Sequence, residues 1–255
     1  MINMSINKDQ FLVSIIIPVY NGEKFIKSAI KTVKKQNYHP LEIIFIDDGS
    51  TDNTAKIISE LNDNFKYIYQ ENQGPASARN KGIKIAQGNF ITFLDVDDLW
   101  AENKLNNQVK YLLTNPTVDI VQGLIQKMKI IVYDDNRENI LTPLSEPYNF
   151  ISLDSGTYRK SLFDKIGLFN EKMIYGEDVD FFFRAWENNI SKVVLQEVFL
   201  FYCQHEFNMT KDKNVIELGL LKILRQHSLR CQEQGKILSN SNISLLQYIG
   251  MSPKF

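Results

Sequence analysis

An apolar segment at residues 90–94 runs directly into three aspartates within four positions, Asp95, Asp97 and Asp98. An extended chain points alternate side chains to the same side, so Asp95 and Asp97 can point together while Asp98 lies at the bend. Clustered carboxylates repel one another unless solvent, a proton or a cation offsets their charge. The segment therefore predicts either a solvated acidic turn after an edge strand or a cation site at the end of a buried strand.

The same order of an apolar strand and a polar exit occurs twice before this segment. Residues 13–17 and 41–46 are short, nearly continuous apolar runs, which is typical of buried parallel strands. Apolar residues at helical spacing follow each run, and Ser50 or Thr51 can cap the second helix. Strands that alternate with helices predict an α/β fold, with a mainly parallel central sheet and helices on both faces. Ligands bind such sheets beyond the carboxyl ends of the strands, so the polar exits predict one crevice.

The rest of the chain predicts further elements without an internal repeat or a linker. In order they are a helix from Leu105, strands at residues 119–122 and 126–133, a polar hairpin tip at 134–139, a loop at 141–149, a helix from about 177 and a strand at 193–202. We predict one domain over residues 1–214 and a helical tail over residues 215–255. The tail would pack on the domain, on a partner subunit or on a membrane surface.

The composition argues against several classes of partner. The formal net charge of −1 gives no global field that would recruit nucleic acid. Cys203 and Cys231 form neither a spaced metal-ligand pattern nor a disulfide framework. The N-terminus lacks the pattern of a secretory signal, and no apolar segment approaches the roughly 20 residues that span a bilayer. We therefore expect a soluble cytoplasmic protein, and a peripheral contact with the inner membrane face stays open.

Five short motifs occur in an order that resembles the family-2 glycosyltransferases, the large inverting group with the GT-A nucleotide-sugar fold. They lie at residues 18–21, 47–52, 72–82, 95–98 and 177–178. Each motif alone is weak evidence, but five in this order are specific, and the resemblance fades in the tail. The resemblance implies transfer of a sugar from a nucleoside diphosphate, commonly a UDP-sugar, to an acceptor hydroxyl. The products of such enzymes are polysaccharides or glycoconjugates.

The resemblance also implies a divalent cation, Mn²⁺ or Mg²⁺, because a pyrophosphate leaving group needs its developing charge neutralised. By their place in the motifs, Asp97 and Asp98 would contact the metal and the ribose, with Asp95 in support. His205 would contact the metal or the diphosphate, and a packed loop histidine is the alternative. Cys203 stands where arginine is frequent in the family, so part of the phosphate contact is missing or comes from elsewhere.

The same resemblance assigns the residues that bind the nucleotide sugar. Four of them form the loop after the first strand, namely Pro18, Val19, Tyr20 and Asn21. Tyr20 is a candidate stacking ring or a half-buried spacer. Asp48 matches the position that recognises uracil or its ribose, and a carboxylate can accept a hydrogen bond from the uracil N–H. Arg79 would contact the diphosphate or pin the acidic motif, unless it is a surface arginine of an amphipathic helix.

Asp178 is the candidate catalytic base. Inversion at the anomeric carbon needs one base opposite the leaving group, which removes the proton of the acceptor hydroxyl during in-line attack. The neighbouring acids Glu177 and Asp180 would raise its pKa. The alternative is that Glu177 and Asp178 only begin a helix, as acids favoured by its dipole.

Two other enzyme classes fit the sequence less well. A nucleotidyltransferase of related fold needs a glycine-rich, arginine-bearing loop after the first strand, which residues 18–22 do not provide. A dinucleotide-binding oxidoreductase needs G-x-G-x-x-G at that place, and the sequence has none there. The non-enzymatic alternative is an inactive nucleotide-sugar-binding module of the same fold, to which the departure at Cys203 gives weight. The donor sugar, the choice between a carbohydrate and a lipid-linked acceptor, and the formation of a homodimer stay open.

Overall fold

The computed structural model describes residues 10–61, 65–130, 141–206, 208–209, 214, 219–233 and 243–251. Strands and helices alternate from the first strand onwards, as the apolar runs predict. In chain order the elements are β1 (Val13–Val19), α1 (Ile26–Lys34), β2 (Leu41–Asp48), α2 (Thr54–Glu60), β3 (Lys66–Gln70), α3 (Pro75–Ile85), β4 (Phe90–Phe93), β5 (Leu99–Trp100), α4 (Lys104–Thr114), β6 (Ile120–Ile130), β7 (Leu141–Pro143), β8 (Gly156–Arg159), α5 (Ser161–Ile166), α6 (Glu177–Glu187), β9 (Lys192–Gln204), α7 (Leu220–Glu233) and α8 (Leu245–Tyr248).

One mixed sheet organises the described part of the chain, with strand order β3-β2-β1-β4-β8-β6-β9-β5 and with β7 paired to β6. The first four of these strands are parallel, and β1 lies between β2 and β4. β8 runs antiparallel to both β4 and β6, whereas β6 and β9 are parallel. The predicted α/β fold class is confirmed, and its parallel half coincides with the apolar runs of the first hundred residues.

β1 is buried along its whole length, because helices cover both faces of the parallel strands. Ile16 enters the apolar cluster that contains residues of α3 and α6, whereas Ile15 and Ile17 enter the cluster that contains residues of α1 and α4. α3 lies very close to β1 at Gly82, where an added Cβ would lie 2.4 Å from Ile16 Cγ2. This close approach brings Arg79, three residues earlier on α3, next to the acidic segment that follows β4.

The middle of the chain differs from the prediction. Within the described residues, one continuous strand, β6, replaces the two strands expected at residues 119–122 and 126–133. Gly123 lies between them, where its missing side chain leaves room for the Phe199 ring and the register against β9 shifts. It therefore forms a bulge rather than a strand end.

Two further predictions concern the segment after β6. The stretch predicted as a loop at residues 141–149 contains β7, which pairs with β6 in antiparallel register. The two prolines in the stretch indicate a loop. A strand is nevertheless possible, because Pro143 lies at the end of β7 and not in its interior. The hairpin tip predicted at residues 134–139 lies outside the described residues, as do residues 131–133.

The helix cap predicted at Ser50 or Thr51 is wrong. α2 begins at Thr54, with Asn53 at the N-cap position and no side-chain cap hydrogen bond. Ser50 Oγ instead accepts a hydrogen bond from Asn21 N at 2.9 Å, and Thr51 N donates to Asn21 Oδ1 at 2.8 Å. The polar residues after β2 therefore hold the loop after β1 instead of capping the helix.

The described parts of the predicted tail contact α6. Ile223 of α7 and Tyr248 of α8 are buried in the cluster that contains the α6 aromatics. Trp186 Nε1 of α6 donates a hydrogen bond of 2.9 Å to Ile243 O. Other parts of the tail, at residues 215–218, 234–242 and 252–255, lie outside the described residues. Among the helices that the structure describes, none combines the length and the apolar character needed to cross a membrane.

Candidate active site

The loop that follows β1 forms one wall at the carboxyl ends of the parallel strands. Pro18 and Val19 are the buried last residues of β1, whereas Tyr20 is 54% exposed. Asn21 has a positive φ of 50°, and its side-chain oxygen accepts the hydrogen bond from Thr51 N. Gly22 N donates to Thr54 Oγ1 at 2.9 Å, which ties the loop to α2 as well. A fixed backbone therefore presents an accessible aromatic ring at this edge of the sheet.

The Asp48 carboxylate is buried at the end of β2 and holds the loop before α3. Its Oδ1 accepts hydrogen bonds from Gln70 Nε2 at 2.7 Å and from Gln73 N at 2.9 Å. Its Oδ2 accepts from Gly74 N at 2.8 Å. A carboxylate offers about four acceptor positions, so these bonds leave room for one more donor. A contact with uracil would require Asp48 to fix this loop and to bind the base at the same time.

Arg79 joins the acidic segment after β4 to the start of α6. It is buried, with its Nη2 2.7 Å from Asp95 Oδ1 and its Nη1 2.6 Å from Glu177 Oε1. The alternative of a surface arginine is therefore wrong, and the pinning interaction is present. Burial raises the pKa of Glu177 to about 7, and Arg79 opposes this shift. A single buried guanidinium thus connects two acidic segments that lie far apart in the sequence.

Asp97 and His205 point towards the same place. His205 Nε2 lies 2.9 Å from Asp97 Oδ2, and Asn208 Nδ2 donates to the same oxygen at 3.3 Å. The imidazole stacks on Phe25 with a centroid separation of 4.7 Å, and Asn208 Oδ1 accepts from His205 N. A carboxylate oxygen and a ring nitrogen, held in adjacent positions by packing and by backbone contacts, could serve together as ligands of one cation.

Asp98 has different surroundings from Asp97, although it is the next residue. It is only 4% exposed, and its Oδ1 accepts a hydrogen bond of 2.9 Å from Cys203 N in β9. Burial raises the pKa of the Asp98 carboxyl well above its ordinary value, and the charge of Asp97 raises it further. The Cys203 thiol is buried and contacts Phe201 O. The structure therefore joins Asp98 to β9 through the residue that departs from the family pattern.

Asp178 lies in the first turn of α6, directly after Glu177. Gly176 precedes the helix with a positive φ of 76°, a conformation that favours glycine. Asp178 Oδ1 accepts a hydrogen bond from Val179 N at 2.8 Å. Burial raises the pKa of the Asp178 carboxyl, and the hydrogen bond from Val179 opposes the shift. Burial, rather than the neighbouring acids expected from the sequence, is therefore the main cause.

The structure adds residues to the site that carry no sequence motif. Asp154 is 3% exposed. Its Oδ2 accepts a hydrogen bond from Asp95 N at 3.1 Å, and its Oδ1 has no hydrogen-bond partner among the described residues. Lys104 is fully buried nearby, where its Nζ donates to Thr92 Oγ1 at 2.8 Å and lies 4.1 Å from the Trp100 ring centroid. Neither residue has a neighbour in sequence that would have indicated it.

Comparison with known proteins found a matching family model and several relatives. The family model described as Glycosyl transferase family 2 matches residues 14–167. An uncharacterized glycosyltransferase of Rickettsia typhi is 38% identical over 186 residues, which cover 68% of this chain and 58% of that protein. The Escherichia coli protein described as UDP-Glc:alpha-D-GlcNAc-diphosphoundecaprenol beta-1,3-glucosyltransferase WfgD is 45% identical over 109 residues, which cover 42% of this chain and 43% of that protein. The chain spans about half the length of the curated relatives it matches.

Solved structures share the fold at low sequence identity. Staphylococcus aureus TarS 1-349 in complex with UDP superposes with a TM-score of 0.65 at 21% identity, covering 92% of this chain and 68% of that chain. The mannosyltransferase PcManGT from Pyrobaculum calidifontis, in complex with GDP-Man and Mn²⁺, gives a TM-score of 0.64 at 19% identity. It covers 88% of this chain and 65% of that chain. These likenesses show the GT-A fold.

Proposed function

This chain belongs to glycosyl transferase family 2, and from that premise we propose that it is an inverting glycosyltransferase. It transfers a sugar from a nucleoside diphosphate, in the first place UDP, to an acceptor hydroxyl. The observation that carries the proposal is the buried Arg79, which contacts Asp95 on one side and Glu177 on the other. This contact brings the acidic segment on the donor side next to Asp178, the candidate base.

In this proposal Asp178 removes the proton of the acceptor hydroxyl as its oxygen attacks the anomeric carbon opposite the leaving diphosphate. The Asp178 carboxyl belongs to helix α6, and the ion pair between Glu177 and Arg79 holds the start of this helix. Burial raises the pKa of Asp178, and a stronger base accepts the acceptor proton more readily near neutral pH. The hydrogen bond from Val179 N orients one oxygen and leaves the other for the acceptor.

The residues on the donor side fit a hard divalent cation, and we propose Mn²⁺ or Mg²⁺. Asp97 and His205 would hold it, since their ligand atoms already lie 2.9 Å apart and a carboxylate oxygen suits both ions. Bound there, the cation would offset the negative charge of the diphosphate leaving group. Asp98 is not in our ligand set, because its carboxylate is buried and accepts from Cys203 N. Asn208 and Phe25 keep the His205 ring and the Asp97 carboxylate in place.

We propose that the nucleotide lies along the loop after β1. The exposed Tyr20 ring would stack on the base, and the backbone of Pro18, Val19 and Asn21 would follow the nucleotide. Asp48 would accept the uracil N–H with its remaining acceptor position. A uracil base offers that N–H donor, and this is the physical reason to test UDP-sugars first. GDP-mannose serves as the comparison because PcManGT binds it.

We propose a lipid-linked acceptor, because the relative WfgD is named for a diphosphoundecaprenol acceptor. The outer surface of α7 supports a peripheral membrane contact, since Leu221 and Leu224 are exposed there and Lys222 and Arg225 lie between and beside them. A carbohydrate acceptor without a lipid is the alternative for the reaction. A second copy of the chain is the alternative occupant of this surface.

An inactive donor-binding module is the second candidate, and one observation favours it. The buried Cys203 side chain stands where the family often has arginine, and a thiol cannot neutralise a phosphate as an arginine does. Titration calorimetry with UDP, with and without Mn²⁺, tests donor binding. Hydrolysis of UDP-glucose, UDP-galactose, UDP-N-acetylglucosamine and GDP-mannose then tests turnover. Binding without hydrolysis or transfer would favour the inactive module, and neither binding nor turnover would contradict both candidates.

A further inference from the structure

Helix α6 carries two buried acids that follow Asp178, the candidate base, in the sequence. Asp180 and Glu187 are 2% and 6% exposed. They are seven residues apart, which places them on the same face of a helix about two turns from each other. Buried carboxylates are unfavourable unless cations or hydrogen bonds offset them. Arg184 on the same helix pairs with Asp180 Oδ2 at 2.9 Å, and the other Asp180 oxygen and the Glu187 carboxylate face partners from outside the helix.

Arg230 of the tail helix α7 contacts both acids. Its Nε lies 2.7 Å from Glu187 Oε2, and its Nη2 donates to Glu187 Oε1 at 2.9 Å. Its Nη1 lies 3.0 Å from Asp180 Oδ1. His227, one turn earlier on α7, adds a contact of 2.5 Å between its Nδ1 and Glu187 Oε1. One planar guanidinium thus binds both acids and fixes α7 against two turns of α6.

The same cluster could also be regarded as a metal site, because ligand atoms of Glu187, His227 and Cys231 lie within 4.8 Å of one another. Arg230 argues against that function. Its guanidinium donates to both oxygens of Glu187, so a cation would have to displace a bidentate ion pair and approach a positive charge. The arrangement is that of an ion-pair clamp between two helices.

Asp178 lies two residues before Asp180, on the same helix. We propose that Arg230 is a positioning residue for the reaction, which sets the place of α6 and thereby of the Asp178 carboxyl. This inference rests on the proposed function for its effect on turnover. Glu177 and Arg79 hold the start of the helix from the donor side, and Arg230 holds it from the tail side. The tail is then part of the catalytic unit, although the family model ends at residue 167.

The test compares Arg230→Gln with Glu233→Gln in the full chain. Glu233 is a matched control because it lies on the same helix, is exposed and also loses one charge. The assay is hydrolysis of whichever of UDP-glucose, UDP-galactose and UDP-N-acetylglucosamine the wild type turns over fastest. Misplacing a reacting group by about 1 Å can lower a rate by about a hundredfold. We expect Arg230→Gln to lower kcat by about ten- to a hundredfold with an unchanged affinity for UDP, and Glu233→Gln to match the wild type.

Arg230→Lys covers the case in which Arg230→Gln does not fold. Lysine keeps the charge but cannot bind Glu187 in a bidentate manner and reach Asp180 as well, so a smaller loss of kcat is expected. A double-mutant cycle with Asp178→Asn adds a readout that general destabilisation would not produce. If Arg230 acts through Asp178, Arg230→Gln should change the residual turnover of Asp178→Asn by less than about twofold.

Amide hydrogen exchange of the ligand-free protein separates this inference from the proposed function. The amides of residues 177–187 should exchange faster in Arg230→Gln than in Glu233→Gln, whether or not the protein hydrolyses a nucleotide sugar. Equal exchange in the two variants would contradict the clamp. Unchanged kcat in both Arg230 variants of an active protein, or an equal loss of kcat and of UDP affinity, would contradict the positioning role.

Discussion

Adjacent carboxylates in the acidic segment after β4 have different surroundings, and this separates their expected roles in cation binding. Asp97 faces His205, whereas Asp98 is buried and accepts from Cys203 N. Because burial raises the pKa of Asp98, a neutral asparagine that keeps the acceptor oxygen should replace it well. We expect Asp98→Asn to keep the affinity for UDP in Mn²⁺ within about threefold, and Asp97→Asn to lower it by about tenfold or more. Calorimetry measures both, and a larger loss in Asp98→Asn would return that residue to the metal site.

Asp178 supports a prediction about the base and its pH dependence. Asp178→Asn should lower kcat by about a hundred- to ten-thousandfold, the usual contribution of a general base, while UDP affinity stays near that of the wild type. The base acts in its ionised form, and burial raises its pKa. Activity of the wild type should therefore fall, as pH decreases, at a higher pH than an ordinary aspartate would cause. Kinetic profiles checked against UDP affinity at each pH test this, and near-normal turnover of Asp178→Asn would contradict the assignment.

At the scale of elements, the contact between α3 and β1 places Arg79 at the acidic segment and depends on Gly82. A Cβ at this position would lie 2.4 Å from Ile16 Cγ2, beside a strand that is fully buried. Alanine would gain about 1 kcal/mol in helix propensity, but overpacking costs about 1–3 kcal/mol. Since the strand has no room to yield, the overpacking cost should be about 2–3 kcal/mol, so we expect Gly82→Ala to lower the free energy of unfolding by about 1–2 kcal/mol. Urea denaturation measures it, with the exposed Lys84→Ala as the control, and an unchanged midpoint would show that the helix can shift.

Elements that are buried through their own apolar residues could be predicted from the sequence, whereas those buried by distant partners could not. β1 and β2 are nearly continuous apolar runs, so the sequence of each strand by itself predicts that both of its faces are buried. β8 is four residues long and half polar, and it is a central strand only because β4 and β6 pair with it. The same distinction between local motifs and distant partners decides which site residues could be predicted. Asp97 and Asp178 lie in local motifs, but Asp154 accepts from the backbone of Asp95, 59 positions away, a contact that only the folded sheet creates.

At the scale of the whole molecule, the outer surface of α7 supports the prediction of a membrane contact. Leu221 and Leu224 are 62% and 43% exposed, on a helix whose other side is held by the Arg230 clamp. Burying a leucine side chain is worth about 1.5–3 kcal/mol, and Lys222 and Arg225 would add attraction to anionic lipid. We expect the protein to float with phosphatidylglycerol vesicles, and Leu221→Ser with Leu224→Ser together to lower the bound fraction by about tenfold or more.

Leu144→Ser is the matched control for this experiment, because Leu144 is 48% exposed but follows β7 rather than lying on α7. It should leave flotation unchanged if the leucines of α7 make the contact. Sedimentation without vesicles tests the alternative that a second copy covers this surface, since the double variant would then shift a dimer towards monomer. A wild-type protein that stays with the unbound fraction would contradict the membrane contact. The proposed transfer would then need an acceptor that reaches Asp178 from solution, and the lipid-linked class would lose its structural support.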